Sequence, residues 1–426
     1  MKRVHVAFAA GAVALLSGIC ALAPAQAAEP FYKGKTVTLY VTSGTGGSVD
    51  LMARLGARHL GKHIPGNPTV IVKNKPGAGG VVGANFLFSQ ARKDGTELGS
   101  ALMTVPFEPL FYGKRSVAKF DPLKFNYLGS PVKFIAVAVS WHTSPVKKWQ
   151  DLLERELIVG SSGMGSSSTV DAFVMRSILG FKYKLILGYP SGSDIDLAMI
   201  RGETNGRATT AWAGITSRHP DWLTKKKVNL LYQMGLEKHP SVPSTVPLLI
   251  NHVKDAEKLK VLKLKMAAYE TGYPLFAPPG VPAKRVALLR KAYADTFKDP
   301  AFLKDAKRSR VEIGPITGKK VAAILKEAYG APADIKAKLQ AASVPPSQKP
   351  AKAKTVKINS KITKITKKGR GIAFMNGGKA ANASLGKKTK ISVGGKKAKR
   401  GALKAGMACD IEYFGEKGQA KTVKCK

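Results

Sequence analysis

Val41–Asp50 (VTSGTGGSVD) and Lys75–Asn85 (KPGAGGVVGAN) decide how this chain is read. Each follows a strand-like apolar run, Thr36–Thr42 (TVTLYVT) and Pro68–Lys73 (PTVIVK), and each leads into a helix-like pattern, Val49–Leu60 and Val81–Ala91. Leu51, Met52, Leu55 and Leu60 recur at helical spacing. Ser48 stands at the expected N-cap, and Asp50 suits the positive end of a helix dipole. Strand, glycine turn, helix and strand again is the rhythm of a parallel α/β layer. A glycine turn ahead of a helix aims backbone N–H groups outward, where the dipole favours an anion.

Working outward, a second α/β region begins near residue 131. Phe134–Ser140, Leu157–Gly160, Tyr183–Gly188 and Val228–Met234 read as strands. A third small-residue loop, Ser161–Ser168 (SSGMGSSS), precedes a helix over Thr169–Leu179, and YPSGSD leads into another over Asp194–Arg201. The chain then returns towards its first region. Lys265–Thr271 and Pro274–Pro278 have strand and turn character, and Pro278–Pro282 (PPGVP) starts a helix over Ala283–Phe297. Two further helical stretches cover 318–329 and 332–342. The order predicts one lobe from 28–130 with 250–342, a second from 131–249, and at least two crossings that form a hinge.

The ends differ in kind. Lys2 and Arg3, the apolar run Val4–Ala23 and the small-x-small site Ala25–Ala27 make residues 1–27 an export signal. Its removal leaves two cysteines, Cys409 and Cys425, flanking a hairpin pattern (CDIEYF–GEKG–QAKTVKC), so a disulfide is expected. Formal net charge is +43, and the last 82 residues hold 22 Lys/Arg against three acids. Such asymmetry marks a basic appendage for an anionic surface or acidic partner. Residues 343–354 (SVPPSQKPAKAK) read as an extended linker. Residues 355–426 read as a small all-β, barrel-like domain of five short strands, with Ile362, Ile365, Ile372, Phe374, Ile391, Val393, Ile411 and Tyr413 as its core. Nucleic acid is a poor fit, because only Phe374, Tyr413 and Phe414 offer stacking surfaces.

No catalytic constellation stands out. Val49 and Val82 occupy the last glycine position of a dinucleotide fingerprint, and no P-loop lysine follows either turn. His59 and His63 straddle Gly61 near a helix end and read as a solvated surface. No cofactor is expected.

Over roughly residues 30–342 the order of these segments resembles the Bug-type periplasmic receptors of tripartite tricarboxylate transporters. The likeness is strongest at the two glycine segments, at 161–168, at Gly188–Gly192 (GYPSG) and at Phe276–Pro282 (FAPPGVP). It implies a two-lobed periplasmic-binding-protein fold with a central ligand cleft, a small organic carboxylate as ligand, membrane transporter subunits as partners, and no enzymatic activity. Carried over, the first ligand loop is Ser43, Gly44, Thr45, Gly46, Gly47 and Ser48, and the second is Ser161, Ser162, Gly163, Gly165, Ser166 and Ser167. Tyr189 and Ser191 are further expected contacts, Trp212 reads as core rather than site, and Gly77–Gly80 is expected to shape the cleft wall. Charge-assisted hydrogen bonds contribute about 1.5–3 kcal/mol each, so two or three with lobe closure support micromolar binding, about −8 kcal/mol. The C-terminal 82 residues lie outside the family pattern and read as an added module.

Overall fold

The structure, a computed structural model, describes residues 29–344, 351–352, 355–366, 369–386, 389–414 and 418–426. The expected export signal and most of the linker lie outside the described residues.

β1 (Thr36–Val41) buries Val37, Leu39 and Val41 and, on its other face, Thr38, as an interior parallel strand must. It pairs in parallel with β2 (Thr69–Asn74) and β3 (Glu97–Ser100). α1 (Ser48–Leu60) connects β1 to β2, and α2 (Val81–Ser89) connects β2 to β3. α3 (Glu108–Tyr112) and β4 (Asn126–Ser130) complete the first pass. The chain then crosses into a second sheet through β5 (Ala136–Trp141), β6 (Leu157–Ser161), α4 (Ser167–Leu179), β7 (Tyr183–Leu187), α5 (Gly192–Ile200), β8 (Gly206–Ala211), α6 (Trp212–Arg218), α7 (Pro220–Thr224) and β9 (Val228–Met234). After α8 (Ala256–Glu270) it returns, and β10 (Leu275–Ala277) inserts between β3 and β4. α9 (Ala283–Thr296), α10 (Pro300–Arg308), β11 (Ile316–Thr317), α11 (Gly318–Tyr329) and α12 (Ala333–Ala342) close the two-lobed part. The strand orders are β11-β4-β10-β3-β1-β2 in the first sheet and β12-β7-β6-β8-β5-β9 in the second, where β12 is Ala351–Lys352.

Three expectations change. Lys265–Thr271 is not a strand but the end of α8. Asp255 caps that helix, its Oδ1 accepting from the amides of Glu257 and Lys258, both at 2.9 Å. Val261, Leu262, Leu264, Lys265, Met266, Ala268 and Tyr269 are all buried while Glu257, Lys258 and Lys260 are exposed, so the second half of the helix is covered nearly all round and loses the amphipathic period that would reveal it. Lys265 can sit there because its ammonium pairs with Asp171 of α4, whose other oxygen accepts from Tyr269 at 2.7 Å and from Thr209. α8 also packs on α11 and α12, so this buried pair ties the return segment to the second lobe. Ser48 is the first helical residue rather than the cap, and Gly47 holds the N-cap position. Part of the expected linker is a strand, Ala351 and Lys352 lying parallel to Ile186 and Leu187 of β7.

The basic C-terminal region folds as one sheet, with seven strands among the described residues rather than five. These are β13 (Val356–Thr366), β14 (Gly371–Asn376), β15 (Lys379–Ser384), β16 (Lys390–Val393), β17 (Lys396–Lys397), β18 (Ala408–Tyr413) and β19 (Ala420–Cys425), in the order β15-β14-β13-β18-β19-β16-β17. KAANAS (β15) has no β-branched or aromatic residue, which hides it from a propensity reading. Ser384, at the end of β15, bridges to Gln419 just before β19, so the first five strands of that order curl towards closure and keep the barrel-like form. Ile362, Ile372, Phe374, Ile411, Tyr413 and Val423 fill the interior. Cys409 and Cys425, directly opposite on β18 and β19, form a disulfide.

Candidate functional site

The first loop is stiffened from within its own lobe. Asp50 takes the Gly46 amide on Oδ2 at 2.9 Å and the Asn74 amide group on Oδ1 at 2.7 Å, while Arg54 bonds both Asp50 and Asn74. Asn74 also holds the Ser43 carbonyl at 3.1 Å, and Thr45 Oγ1 donates to Asn74 Oδ1 at 3.3 Å. One of the expected anion donors, the Gly46 N–H, is therefore occupied by Asp50. Gly47, Ser48 and Val49 present the remaining amides of the α1 start, which by geometry precede any intrahelical acceptor. Thr42, just before the loop, buries its hydroxyl without a hydrogen-bond partner.

The second loop is a hydroxyl cluster. Ser161 Oγ lies 2.8 Å from Ser168 Oγ and 3.3 Å from Ser166 Oγ, and Ser166 and Thr169 both donate to the Gly163 carbonyl at 2.7 Å. Ser161 and Ser166 are thus spent on the loop's own shape. The amides of Thr169 and Val170 bond back to Ser166 O at 3.1 and 3.0 Å, which leaves those of Ser167 and Ser168 as the outward donors of α4. Ser162 and Gly163 are half-buried at the rim.

The lobes touch through these loops, in a crossed pairing. Gly44–Gly47 meets the start of α5: Ser193 Oγ donates to Gly46 O at 2.7 Å, and a Cβ on Gly44 would stand 2.7 Å from Pro190 O. The serine loop meets Ala78–Gly80 instead. A Cβ on Gly165 would stand 2.7 Å from Ala78 O, and one on Gly163 2.8 Å from the Gly79 amide. Thr104 Oγ1 donates to Gly165 O at 2.9 Å, and Tyr112 donates to Met164 O. Gly77–Gly80 is therefore part of the inter-lobe contact. Ser191 lies against Gly44, 3.4 Å from its built Cβ, and donates to Asp194 at 2.7 Å. Tyr189 does not face the cleft through its ring, which packs on Gly160 and Ile195 inside the second lobe while its hydroxyl donates to Glu203 at 3.4 Å.

A recess of about 270 Å³ opens between the lobes beside the hinge, bordered by Val132, Ile135, Trp212, Thr216, Tyr273 and Arg310 among others. Tyr273 links it to charged residues that sequence reasoning missed, Asp196, Arg207 and Arg218. Burial raises the Tyr273 phenol above the ordinary tyrosine range, and Ser48, Arg218 and Arg207 oppose that rise. Arg218 Nη1 donates to Ser48 Oγ at 3.3 Å, joining α6 of one lobe to the first turn of α1 in the other. Burial resists ionisation of Asp196, yet Arg207, His219 and Arg218 outweigh it and hold the carboxyl well below the usual carboxylate range. The available signal was Arg207 itself, a lone cation in the otherwise small and uncharged run Gly206–Ala211, whose every residue is buried.

Two lobes, each a mixed sheet, that meet through the loops opening α1, α4 and α5 define the periplasmic-binding-protein fold. The model of the tripartite tricarboxylate transporter family receptor (TctC) matches residues 52–328, and the chain belongs to that family. A curated relative, the "UPF0065 protein in gbd 5'region" of Cupriavidus necator, is 28% identical over 316 residues, 71% of this chain and 87% of that protein. Among solved structures, the periplasmic binding protein BugD superposes with a TM-score of 0.59 at 18% identity, over 75% of this chain and 100% of its own. MatC from Rhodopseudomonas palustris, solved with bound malate, gives a TM-score of 0.57 at 18% identity, over 73% of this chain and 99% of its own.

Proposed function

We propose that the protein is a periplasmic receptor that captures a small organic carboxylate between its lobes and delivers it to the membrane subunits of a tripartite tricarboxylate-type transporter. The observation that carries the reading is the meeting of the lobes through loops that open helices, Gly44–Ser48 at α1 and Gly163–Ser167 at α4. Backbone N–H groups at two helix starts suit a carboxylate, glycines let the ligand approach the main chain, and closure removes competing water. Family membership and the malate bound by a protein of the same fold support the same chemistry. The part played by this chain's own residues is recognition: the loop amides orient the carboxylate, and the hinge beside Val132 and Tyr273 lets the lobes part to release it.

Isothermal titration calorimetry of protein unfolded and refolded free of ligand, against a panel of mono-, di- and tricarboxylates, tests the proposal. At least one is expected to bind at micromolar strength, about −8 kcal/mol. At a hundred times its dissociation constant that ligand should raise stability by about 2.7 kcal/mol. No heat and no thermal shift with any of them overturns the reading.

A further inference from the structure

The C-terminal sheet keeps its apolar residues inside and turns a lysine-rich face outward. Ile358 on β13, Ile411 on β18, Val423 on β19 and Ile391 on β16 stand opposite one another in register and pack into the interior. Residues one step away on the same strands therefore face solvent. Lys357, Glu412, Thr422 and Lys390 form one such row. Asn359, Asp410, Lys424, Ser392 and Lys397 form the next, and Lys361 extends the face along β13.

Both acids in these rows are already engaged. Glu412 accepts from Lys421 and from Thr355, each at 2.8 Å, and Asp410 accepts from Asn359 at 2.8 Å. Lys357, Lys361, Lys390, Lys397 and Lys424 are exposed, and among the described residues none of them forms an ion pair. The connection from β17 to β18 adds Lys399, Arg400 and Lys404, all exposed, and no acid. Like charges held this close repel one another, and an anionic surface relieves that repulsion.

The kind of cation indicates the kind of surface. Every basic residue of the last 82 except Arg370 and Arg400 is a lysine. Lysine is a flexible point charge that suits phosphates free to shift sideways, whereas the arginine fork suits one fixed partner. Arg400 already donates to Leu385 O at 3.1 Å. The face offers no ring for base stacking from Phe374 or Tyr413, which pack edge to face in the interior at 1% and 0% exposure. The module is carried on the second lobe through β12 on β7 and through Arg201 Nη2, which donates to Phe414 O at 3.2 Å just after β18. The β17–β18 connection lies at the other end of β18 from that contact.

We propose that this face and the connection beside it bind the surface of an anionic phospholipid bilayer, lysine ammonium groups meeting headgroup phosphates, and so tether the protein to a membrane. Under the receptor reading above, the tether holds the protein beside its membrane subunits. Lipid binding itself does not depend on that reading, because no residue of the inter-lobe loops takes part.

The test is co-sedimentation of the full chain, as purified after export, with vesicles of phosphatidylcholine alone or with about 30% phosphatidylglycerol, in about 50 mM and about 300 mM salt. At low salt the anionic vesicles are expected to bind at least about thirtyfold more tightly than the neutral ones, and the higher salt should remove about tenfold or more of that binding. Lys390→Gln/Lys397→Gln/Lys424→Gln should weaken binding to anionic vesicles by about tenfold or more. Lys258→Gln/Lys260→Gln/Lys263→Gln, which takes the same charge from exposed positions of α8, should change it by less than about threefold. Equal losses in the two variants, or a face variant that melts like the wild type and binds as tightly, overturn the proposal. If the face variant does not fold, Lys399→Gln/Lys404→Gln decides, and undiminished binding there overturns it. No preference for anionic vesicles at low salt overturns it too, and a single-stranded oligonucleotide bound in their place reassigns the face to nucleic acid. Calorimetry with the carboxylate panel tests the receptor reading separately.

Discussion

Replacing Gly79 with alanine is expected to weaken carboxylate binding by about a hundredfold or more, equivalent to about 2.8 kcal/mol. Gly79 lies between β2 and α2 with φ +69°, and a Cβ there would stand 2.3 Å from the Ser166 amide nitrogen and 2.4 Å from the Gly165 carbonyl carbon. Both obstacles are main chain of the opposite lobe, so no side chain can rotate away. Ordinary contact needs about 3.5 Å, so the lobes must part by about 1 Å at this point. That shift strains the bonds from Thr104 and Tyr112 to the serine loop and moves the α4 amides away from a ligand held at α1. Within the first lobe the substitution costs only the left-handed backbone penalty, about 1–2 kcal/mol, so the protein should still fold. Calorimetry with the carboxylate that the wild type binds most tightly, alongside a melting curve, checks this. A folded variant with wild-type affinity would show that binding does not need the lobes this close.

Lys265→Met should be the most destabilising single change away from the loops, by about 3–5 kcal/mol, because it leaves Asp171 buried without its cation. Both side chains are fully buried. Burial drives the Lys265 amine well below the ordinary lysine range, so the contact with Asp171 must offset that penalty for the charged pair to persist. Tyr269 and Thr209 continue to donate to Asp171 in the variant, but two neutral donors do not replace a charge. The double variant Lys265→Met/Asp171→Leu removes both charges and is expected to recover most of the loss. Urea unfolding midpoints of the wild type, the single and the double variant measure the effect. A single variant as stable as the wild type would mean that the pair contributes nothing to holding α8 on the second lobe.

The fold was legible where local pattern and tertiary role coincide. β1, α1, β2 and α4 stand within a residue or two of their expected bounds, since β-branched runs mark the strands and the glycine- or serine-rich turns after β1 and β6 mark where the helices start. α8 was not legible, because burial on nearly every side of its second half removes the period there, and Lys265, which would mark a solvent face, is buried against Asp171. The loops of the candidate site were legible from glycine and serine content, but their use was not. Asp50 takes the Gly46 amide, and Ser161 and Ser166 bond within their own loop, arrangements that depend on where side chains fold back. Asp196, Arg207 and Arg218 lie on α5, β8 and α6, and their convergence belongs to tertiary structure alone.

A crystal structure of the protein with malate, grown from ligand-free refolded material, tests the central claim most directly. A malate carboxylate is expected between the lobes, with an oxygen at about 2.7–3.2 Å from main-chain nitrogens at the start of α1 or α4, and with both lobes contributing contacts. Malate bound outside the cleft, or held by one lobe with the helix starts unused, would contradict the account.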